Sequence, residues 1–311
     1  MAVLARELGV DLGTMFIRIV QGGEIILQEP TVAAVDMQEQ KIVAVGEEAQ
    51  GMIGRVSEET IEVVRPLQKG VVAHFELTEL LLEHLVRRVG GSVRLFKPRI
   101  MITHPYGITS VERRAVHEAS LTSGDTALIP QPLAAALGIV LPVGTPTGNM
   151  VVCLGGGCTQ AAVLAMNDVV SGENLRQGGL ELDDAIASDV RRKDCLHIGQ
   201  RTAEMVKLRV GAAVPQDEDQ SVELQGQDQV TGLPRPLTIT TSEVVEAVQP
   251  ALDEVFEMIR RVLEKTPPEL ASDIIDRGVA LCGGGALLRG MDRLMTQKLG
   301  VPAYLVDDPV N

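Results

Sequence analysis

The sequence is poor in aromatic residues and in positive charge. It has no tryptophan, two tyrosines and four phenylalanines, and 28 lysines and arginines stand against 42 aspartates and glutamates, for a net charge of −14. Non-specific nucleic-acid binding needs a cationic surface, and single-strand binders also use aromatic platforms on which bases stack. We therefore expect no nucleic-acid partner.

Long hydrophobic runs are also missing. No apolar stretch approaches the roughly 20 residues that span a bilayer, and the N-terminal residues lack the apolar core of a secretory signal.

Three of the four cysteines, Cys153, Cys158 and Cys282, flank glycine-rich turns without a Cys-x-x-Cys pair or a histidine partner. That pattern favours buried apolar thiols over a metal or redox site. We expect a cytoplasmic protein.

What is present is an α/β pattern in a chain of 311 residues with 45% hydrophobic content, which predicts about two globular domains. Thr109 with Glu112, and Thr240 with Glu243, predict capping boxes at the starts of two helices. Pro250 predicts a kink or break in the second helix. A further helix is predicted over residues 286–298.

Three glycine-rich turns, far apart in the chain, each follow a short apolar strand. They are Leu12-Gly13-Thr14, Leu154-Gly155-Gly156-Gly157-Cys158-Thr159 and Cys282-Gly283-Gly284-Gly285-Ala286. Glycine lets backbone N–H groups approach an anion closely. The first two turns are similar enough to suggest a faint internal repeat. Together the turns predict a phosphate and a nucleoside held between duplicated halves of one molecule.

Motifs along nearly the whole chain carry a family resemblance. Among them are Val10-Asp11-Leu12-Gly13-Thr14, Gln28-Glu29-Pro30-Thr31-Val32, Phe96-Lys97-Pro98-Arg99, Val111-Glu112-Arg113-Arg114-Ala115, Gln131-Pro132-Leu133-Ala134-Ala135-Ala136, Val230-Thr231-Gly232-Leu233-Pro234 and Gly283-Gly284-Gly285-Ala286-Leu287-Leu288-Arg289-Gly290. In this order they resemble the MreB-type bacterial actins, of the actin, sugar-kinase and DnaK-type chaperone superfamily.

The resemblance implies an actin-like ATPase fold of the α/β class. Two duplicated α/β domains enclose a nucleotide cleft, and each carries a small subdomain. The implied boundaries are 1–31 with 67–143 for the first large domain and 32–66 for its small subdomain. The second large domain is 144–180 with 243–311, and its small subdomain is 181–242.

The resemblance also implies site residues for ATP or ADP with Mg²⁺. The expected nucleotide-binding residues are Asp11, Gly13, Thr14, Met15, Gly155, Gly156, Gly157, Cys158, Glu204, Lys207, Gly283, Gly284, Gly285 and Ala286. Asp11 is the expected metal carboxylate, and Gln131 and Thr159 are the expected catalytic residues. In isolation, Asp11 also fits a turn aspartate, and Glu204 with Lys207 fits a solvated helical ion pair.

At four positions this sequence has a neutral residue where the family usually has an acidic one, so the expected site has fewer carboxylates. Cys153 stands where the second phosphate loop usually begins with an acidic residue, and Gln131 replaces a glutamate. Met205 and Leu180 replace two further acidic residues. A thiol is a poor partner for Mg²⁺, and glutamine can orient a water but cannot take its proton. We expect nucleotide binding with weakened hydrolysis, so whether the chain is an active ATPase stays open.

A loop with Leu95 and Phe96 between Arg94 and Lys97 has the composition of a membrane-surface tip, a use that the family makes of this loop. The alternative is that both side chains lie in the core. Burying each would stabilise binding by roughly 1.5–3 kcal/mol, so one copy binds weakly and a polymer gains avidity.

The expected function is therefore a filament-forming, nucleotide-binding cytoskeletal protein at the inner face of the cell membrane, acting in cell shape. Its expected partners are further copies of itself in protofilaments, the membrane surface and cell-shape membrane proteins. Two alternatives stay open: a non-hydrolysing scaffold that uses nucleotide as a structural ligand, and a small-molecule kinase of the same superfamily. The kinase would need an acidic base, and Cys153 and Gln131 are neutral.

Overall fold

The computed structural model describes residues 6–39, 41–57, 59–90 and 97–311. The chain divides into two compact units, Met1–Ala134 and Ala135–Asn311, called here the N-terminal unit and the C-terminal unit. Helix α4 crosses this boundary. The four-part division given above stays a prediction.

The N-terminal unit alternates strands and helices. Its elements are β1 (Glu7–Leu12), β2 (Phe16–Gln21), β3 (Glu24–Pro30), β4 (Ala33–Asp36), β5 (Lys41–Val45), α1 (Gly46–Met52), β6 (Ile61–Val64), β7 (Leu67–Gln68), β8 (Val71–Val72), α2 (Phe75–Gly90), β9 (Arg99–His104), α3 (Ser110–Leu121), β10 (Asp125–Pro130) and the start of α4 (Gln131–Gly138).

The main sheet of this unit has the strand order β10-β9-β1-β2-β3. β1 pairs in parallel with β9 and antiparallel with β2. Alternate residues of β1, from Leu8 to Leu12, are buried, and the residues between them, including Asp11, lie on the other face. The buried face packs with Leu81, Leu82 and Leu85 of α2. The sheet therefore presents Asp11 on the face opposite this core.

The C-terminal unit repeats the alternation. Its elements are β11 (Asn149–Leu154), β12 (Thr159–Ala165), β13 (Asp168–Leu175), α5 (Gly179–Asp194), β14 (Leu196–His197), α6 (Gln200–Val210), β15 (Ser221–Asp228), β16 (Pro234–Thr240), α7 (Thr241–Glu264), α8 (Pro268–Arg277), β17 (Val279–Cys282), a 3₁₀ helix (Gly284–Leu287), α9 (Met291–Leu299) and β18 (Ala303–Leu305).

Its main sheet has the order β18-β17-β11-β12-β13, which matches the first sheet strand for strand. β11 is parallel to β17 and antiparallel to β12, as β1 is to β9 and β2. Every residue of β12 is buried, which explains its continuous apolar run. The matching strand orders confirm the internal repeat predicted from the first two glycine turns.

Each unit also carries a small three-stranded sheet. In the N-terminal unit its order is β5-β4-β6, and in the C-terminal unit it is β14-β15-β16. β15 and β16 form the long hairpin that alternation predicted, with Gly232 in its turn at φ +71°. Both small sheets lie between elements of the main sheets along the chain.

Local signals predicted the helix starts well and the helix interiors less well. Thr109 with Glu112 and Thr240 with Glu243 form capping boxes, as predicted. α7 runs unbroken through Pro250, because buried residues before and after it hold both halves in the core. The helix predicted over 286–298 is wrong as one element: a 3₁₀ turn ends at Leu287 and α9 begins at Met291.

Among the residues that the structure describes, no helix has the length and apolar character needed to cross a bilayer.

Candidate functional site

The first two glycine turns are closed by the same backbone hydrogen bond. Gly13 N–H donates to the Phe16 carbonyl at 3.1 Å, and Gly155 N–H donates to the Cys158 carbonyl at 3.0 Å. A Cβ at Gly13 would lie 2.6 Å from the Phe16 oxygen, and one at Gly155 would lie 2.7 Å from the Cys158 oxygen. Both turns therefore need glycine at this position for the same steric reason.

The first turn is tied to neighbouring loops of its unit. The Thr14 hydroxyl accepts from the Gly70 N–H at 3.0 Å, and the Met15 carbonyl accepts from the Thr31 N–H at 2.9 Å. The Thr31 hydroxyl in turn donates to the Gly13 carbonyl at 2.7 Å. These bonds hold the backbone of the turn in place.

Asp11 gathers polar groups from distant parts of the chain. Its Oδ1 accepts from the Thr103 hydroxyl at 3.0 Å and from the Gln131 side-chain amide at 3.5 Å. Its Oδ2 lies 3.4 Å from Arg18 Nη1. The structure thus brings Asp11 and Gln131, two predicted site residues 120 positions apart, into one cluster.

Arg18 was not among the residues selected from the sequence. It lies opposite Asp11 in the β1–β2 pairing, seven residues along a tight hairpin. That spacing is the signal that would have found it, because directly opposed residues on antiparallel strands share a face. The motifs that predicted the site consist of glycines and acidic residues, and Arg18 is not among their residues.

The second turn packs against the start of α5. Gly179 N–H donates to the Gly155 carbonyl and Leu180 N–H donates to the Gly156 carbonyl, both at 2.9 Å. Leu180, which stands at an expected acidic position, therefore contributes its backbone here. The predicted catalytic Thr159 begins β12 and is almost completely buried.

Two thiols meet below the second and third turns. Cys153 of β11 and Cys282 of β17 are register neighbours, and their Sγ atoms lie 3.2 Å apart. Cys158 is buried and its Sγ accepts from the Gln160 amide at 3.6 Å. Cys282 is also buried, whereas Cys153 is half-buried. The thiol of Cys153 therefore lies against the thiol of Cys282, at the end of the neighbouring strand β17.

The third turn lies directly against the second. Gly283 N–H donates to the Pro309 carbonyl, and a Cβ at Gly283 would overlap the Leu154 carbonyl at the end of β11. Ala286 is buried, whereas a Cβ at Gly284 would meet no heavy atom within 4 Å. The third turn is thus packed against its unit at Gly283 and Ala286, and it has free space beside Gly284.

Lys207 joins α6 to the start of α5. Its ammonium group lies 2.7 Å from Asp183 Oδ1 and donates to the Gly179 carbonyl at 2.7 Å. Burial raises the pKa of Asp183 to about 6, against the opposing charge of Lys207. Glu204 adds a like charge that also raises this pKa. The predicted nucleoside-contacting pair therefore belongs to a charged cluster beside the second turn.

The glycine turns of the two units differ in the metal ligands beside them. Among the described residues, no group of three or more His, Cys, Asp or Glu side chains is arranged to hold a metal ion. Asp11 already accepts hydrogen bonds from Thr103 and Gln131, and Arg18 lies at its other oxygen. Magnesium prefers oxygen ligands, which the Cys153 thiol does not offer. The three turns do offer backbone N–H groups of the kind that bind phosphate.

The predicted membrane residues Leu95 and Phe96 lie outside the described residues. Next to them, the ammonium group of Lys97 donates to the Leu121 carbonyl at 3.3 Å.

The chain is similar to known proteins along nearly its whole length. The family model described as MreB/Mbl protein matches residues 5–311. The cell shape-determining protein Mbl of Bacillus cereus is 42% identical over 312 residues, which cover 99% of this chain and 93% of that protein.

Solved structures of two proteins share its architecture. MreB5 of Spiroplasma citri, solved with AMPPNP and with ADP, gives a TM-score of 0.93 at 30% identity over 99% of this chain and 93% of that one. MamK in a double helical filament gives a TM-score of 0.83 at 20% identity over 99% of this chain and 95% of that one. The MamK likeness concerns the fold alone.

Proposed function

The chain belongs to the MreB/Mbl family and has the actin-like ATPase fold, and we propose that it is a nucleotide-binding bacterial actin that polymerises and acts in cell shape. The observation that carries the proposal is that two glycine turns, closed by the same backbone hydrogen bond, lie on two sheets of the same strand order. Mbl, its relative, is named as cell shape-determining, and MreB5 has been solved with AMPPNP and with ADP.

In this proposal each turn binds a defined part of an adenine nucleotide. Gly13 and Gly155 shape the first two turns, and the backbone N–H groups that follow them, from Thr14 to Met15 and from Gly156 to Cys158, bind phosphate oxygens, as glycine-rich turns do. The turn from Gly283 to Ala286 contacts the adenosine. Glu204 and Lys207 contact the nucleoside from α6.

The proposed catalytic groups orient water and do not deprotonate it. Bound ATP would supply a phosphoanhydride bond for attack by water. The Gln131 amide is positioned by its hydrogen bond to Asp11 and has no basic group for the proton. The Thr159 hydroxyl is proposed to position the same water. We propose nucleotide binding with slow hydrolysis, and Asp11 remains the proposed carboxylate for Mg²⁺ when that ion accompanies the nucleotide.

A non-hydrolysing scaffold is the second candidate. The observation that favours it is that Cys153 and Gln131 are both neutral. The Cys153 thiol contacts Cys282, and the Gln131 amide bonds to Asp11. In that case the nucleotide would stabilise the folded subunit and its polymer without turnover. Phosphate release measured together with pelleting separates the two: a scaffold pellets with ATP and releases no phosphate.

Polymerisation is tested by electron microscopy of concentrated protein with ATP or ADP. We expect protofilaments whose repeat equals the long axis of one subunit, because MamK, which shares this fold, has been solved as a double helical filament. The same preparation without nucleotide is the control. Protein that stays monomeric across all nucleotide and salt conditions would contradict the proposal.

Membrane association through Leu95 and Phe96 is the finer part of the proposal. Replacing both with Ser should abolish co-sedimentation with anionic liposomes while filaments persist, because an apolar tip flanked by cations binds such a surface. Binding should also weaken below the polymerisation threshold, where avidity is lost.

Neutral liposomes are the control for the headgroup charge in this experiment. A double variant that sediments with anionic liposomes as well as wild type would place the anchor elsewhere. A double variant that fails to fold would show that the two side chains belong to the core.

A further inference from the structure

We propose that Cys153 and Cys282 form a redox-sensitive dithiol, which a hydroperoxide such as hydrogen peroxide oxidises to an intramolecular disulfide. The two thiols come from the neighbouring parallel strands β11 and β17 of the C-terminal unit, and their Sγ atoms lie 3.2 Å apart. The residues are 129 positions apart along the chain, so no spacing motif marks them as a pair. The bond joins the strand before the second glycine turn to the strand before the third.

The pairing of the two strands holds the cysteines at a separation that a disulfide can bridge. Cys153 and Cys282 are direct partners in the β11–β17 register, and neighbouring strands lie about 4.7–4.9 Å apart. Disulfides join residues whose Cα atoms are about 4.4–6.8 Å apart. Because the Sγ atoms already lie 3.2 Å apart, the bond forms when they approach each other by a further distance of about 1 Å.

The internal repeat shows that side chains also meet at the same place in the other sheet. In the N-terminal unit, β1 and β9 bring Asp11 and Thr103 together, and the Thr103 hydroxyl donates to Asp11 Oδ1 at 3.0 Å. β11 and β17 have the same places in the second sheet, and there two thiols replace the hydroxyl and the carboxylate. Only the sulfur pair can be oxidised to a covalent cross-link.

The two thiols differ in their access to solvent. Cys153 is half-buried, whereas Cys282 is 6% exposed. Val152 and Leu154, on either side of Cys153, pack in the core of the C-terminal unit, so Cys153 lies on the other face of the sheet. A small oxidant therefore reaches Cys153 first, and Cys282 is the resolving thiol beside it.

The reaction balances with hydrogen peroxide as the oxidant. The Cys153 sulfur attacks one peroxide oxygen, the O–O bond breaks, and the products are a sulfenic acid and one water. The Cys282 sulfur then attacks the Cys153 sulfur. The S–S bond forms, and the sulfenic hydroxyl leaves with the Cys282 proton as a second water. Two electrons pass from the two thiols to the peroxide, and a dithiol reductant reverses the bond by exchange.

The cross-link fixes two glycine turns that already pack against each other. β11 leads into the Gly155 turn and β17 into the Gly283 turn, and a Cβ at Gly283 would overlap the Leu154 carbonyl. The bond joins residues 129 positions apart in the unfolded chain. A cross-link over so long a loop stabilises the folded chain, so oxidation should raise the midpoint of thermal unfolding.

The test uses a two-thiol variant, in which Cys158 and Cys195 are replaced by Ser so that Cys153 and Cys282 are the only thiols. The folded variant, without nucleotide, is treated with hydrogen peroxide, alkylated and then unfolded for mass spectrometry. Its mass should fall by that of two hydrogen atoms, and a non-reduced digest should contain the Cys153 peptide joined to the Cys282 peptide. Dithiothreitol should restore both thiols. The midpoint of thermal unfolding should rise by at least about 4 °C on oxidation.

Cys282→Ser in the two-thiol variant is the matched control, because it keeps the accessible thiol and removes the resolving one. It should gain oxygen instead of losing hydrogen, and its midpoint should not rise. Wild type should give the same cross-linked peptide as the two-thiol variant, with the linked sulfurs located by fragmentation.

A two-thiol variant that keeps both thiols, oxidises each singly or links only between molecules would overturn the proposal. A midpoint that does not rise on cross-linking would also overturn it, because the strands would then not hold the pair at disulfide separation. If the two-thiol variant does not fold, the digest of oxidised wild type decides. None of these measurements involves nucleotide, so their failure is distinct from a failure of the proposed function.

Discussion

Replacing Cys153 with Asp is expected to raise ATP hydrolysis by up to about 10²–10³-fold, the effect of one electrostatic group at a reacting centre. The added carboxylate would restore the acidic position of the second phosphate loop and make hydrolysis depend on Mg²⁺. Phosphate release by wild type and variant across a Mg²⁺ series measures this. A smaller gain is expected if Gln131 and Leu180 limit the rate as well.

Cys153→Ser is the matched control for this experiment, because it replaces the thiol with a small neutral group. Both substitutions lose the contact with Cys282 Sγ, so a shared effect would come from that contact and a carboxylate effect would appear in Asp alone. If wild type already turns over quickly and Cys153→Asp changes nothing, another residue holds the metal shell and the expectation of weakened hydrolysis is wrong.

Gly284→Asp is expected to abolish adenine-nucleotide binding. A Cβ at Gly284 meets no heavy atom within 4 Å, so the variant should fold. The carboxylate would be buried against the proposed adenosine without a partner. An unpaired buried charge costs about 3–5 kcal/mol, which corresponds to a loss of affinity of at least a hundredfold. Calorimetry with ATP and ADP measures the loss.

Two control variants separate the effect of the position from the effect of the added charge. Gly51→Asp adds the same charge at another open glycine, in α1, and should leave affinity unchanged. Gly284→Ala adds bulk without charge and should weaken binding less than Asp does. Unchanged affinity in Gly284→Asp, with the thermal stability of wild type, would remove the third turn from the site.

The clearest predictions from sequence concern groups that interact within a few residues. The capping boxes at Thr109 and Thr240 join groups three residues apart, and the hairpin of β15 and β16 follows from alternation and one turn glycine. The Gly13 and Gly155 turns are equally local, since each closes over four residues. Such signals also carried the family resemblance, and the comparisons confirmed it.

The helix interiors show where local signals failed. Pro250 removes a backbone donor, yet α7 continues because its buried face packs on both sides of the proline. The helix predicted over 286–298 is interrupted at Gly290, which has φ +76°. The helical periodicity of the sequence continues past that glycine, so it predicted one continuous helix.

By itself, the sequence determined the family, the α/β alternation and the positions of the three glycine turns, because each is marked by residues that are neighbours along the chain. Only the tertiary structure decided what surrounds them. Asp11 meets Thr103 and Gln131, and Cys153 meets Cys282 across 129 positions, because the strand order places β9 between β1 and β10, and β11 beside β17. These pairings decide which polar groups meet beside each turn, and pairings between distant strands leave no mark at any one position of the chain.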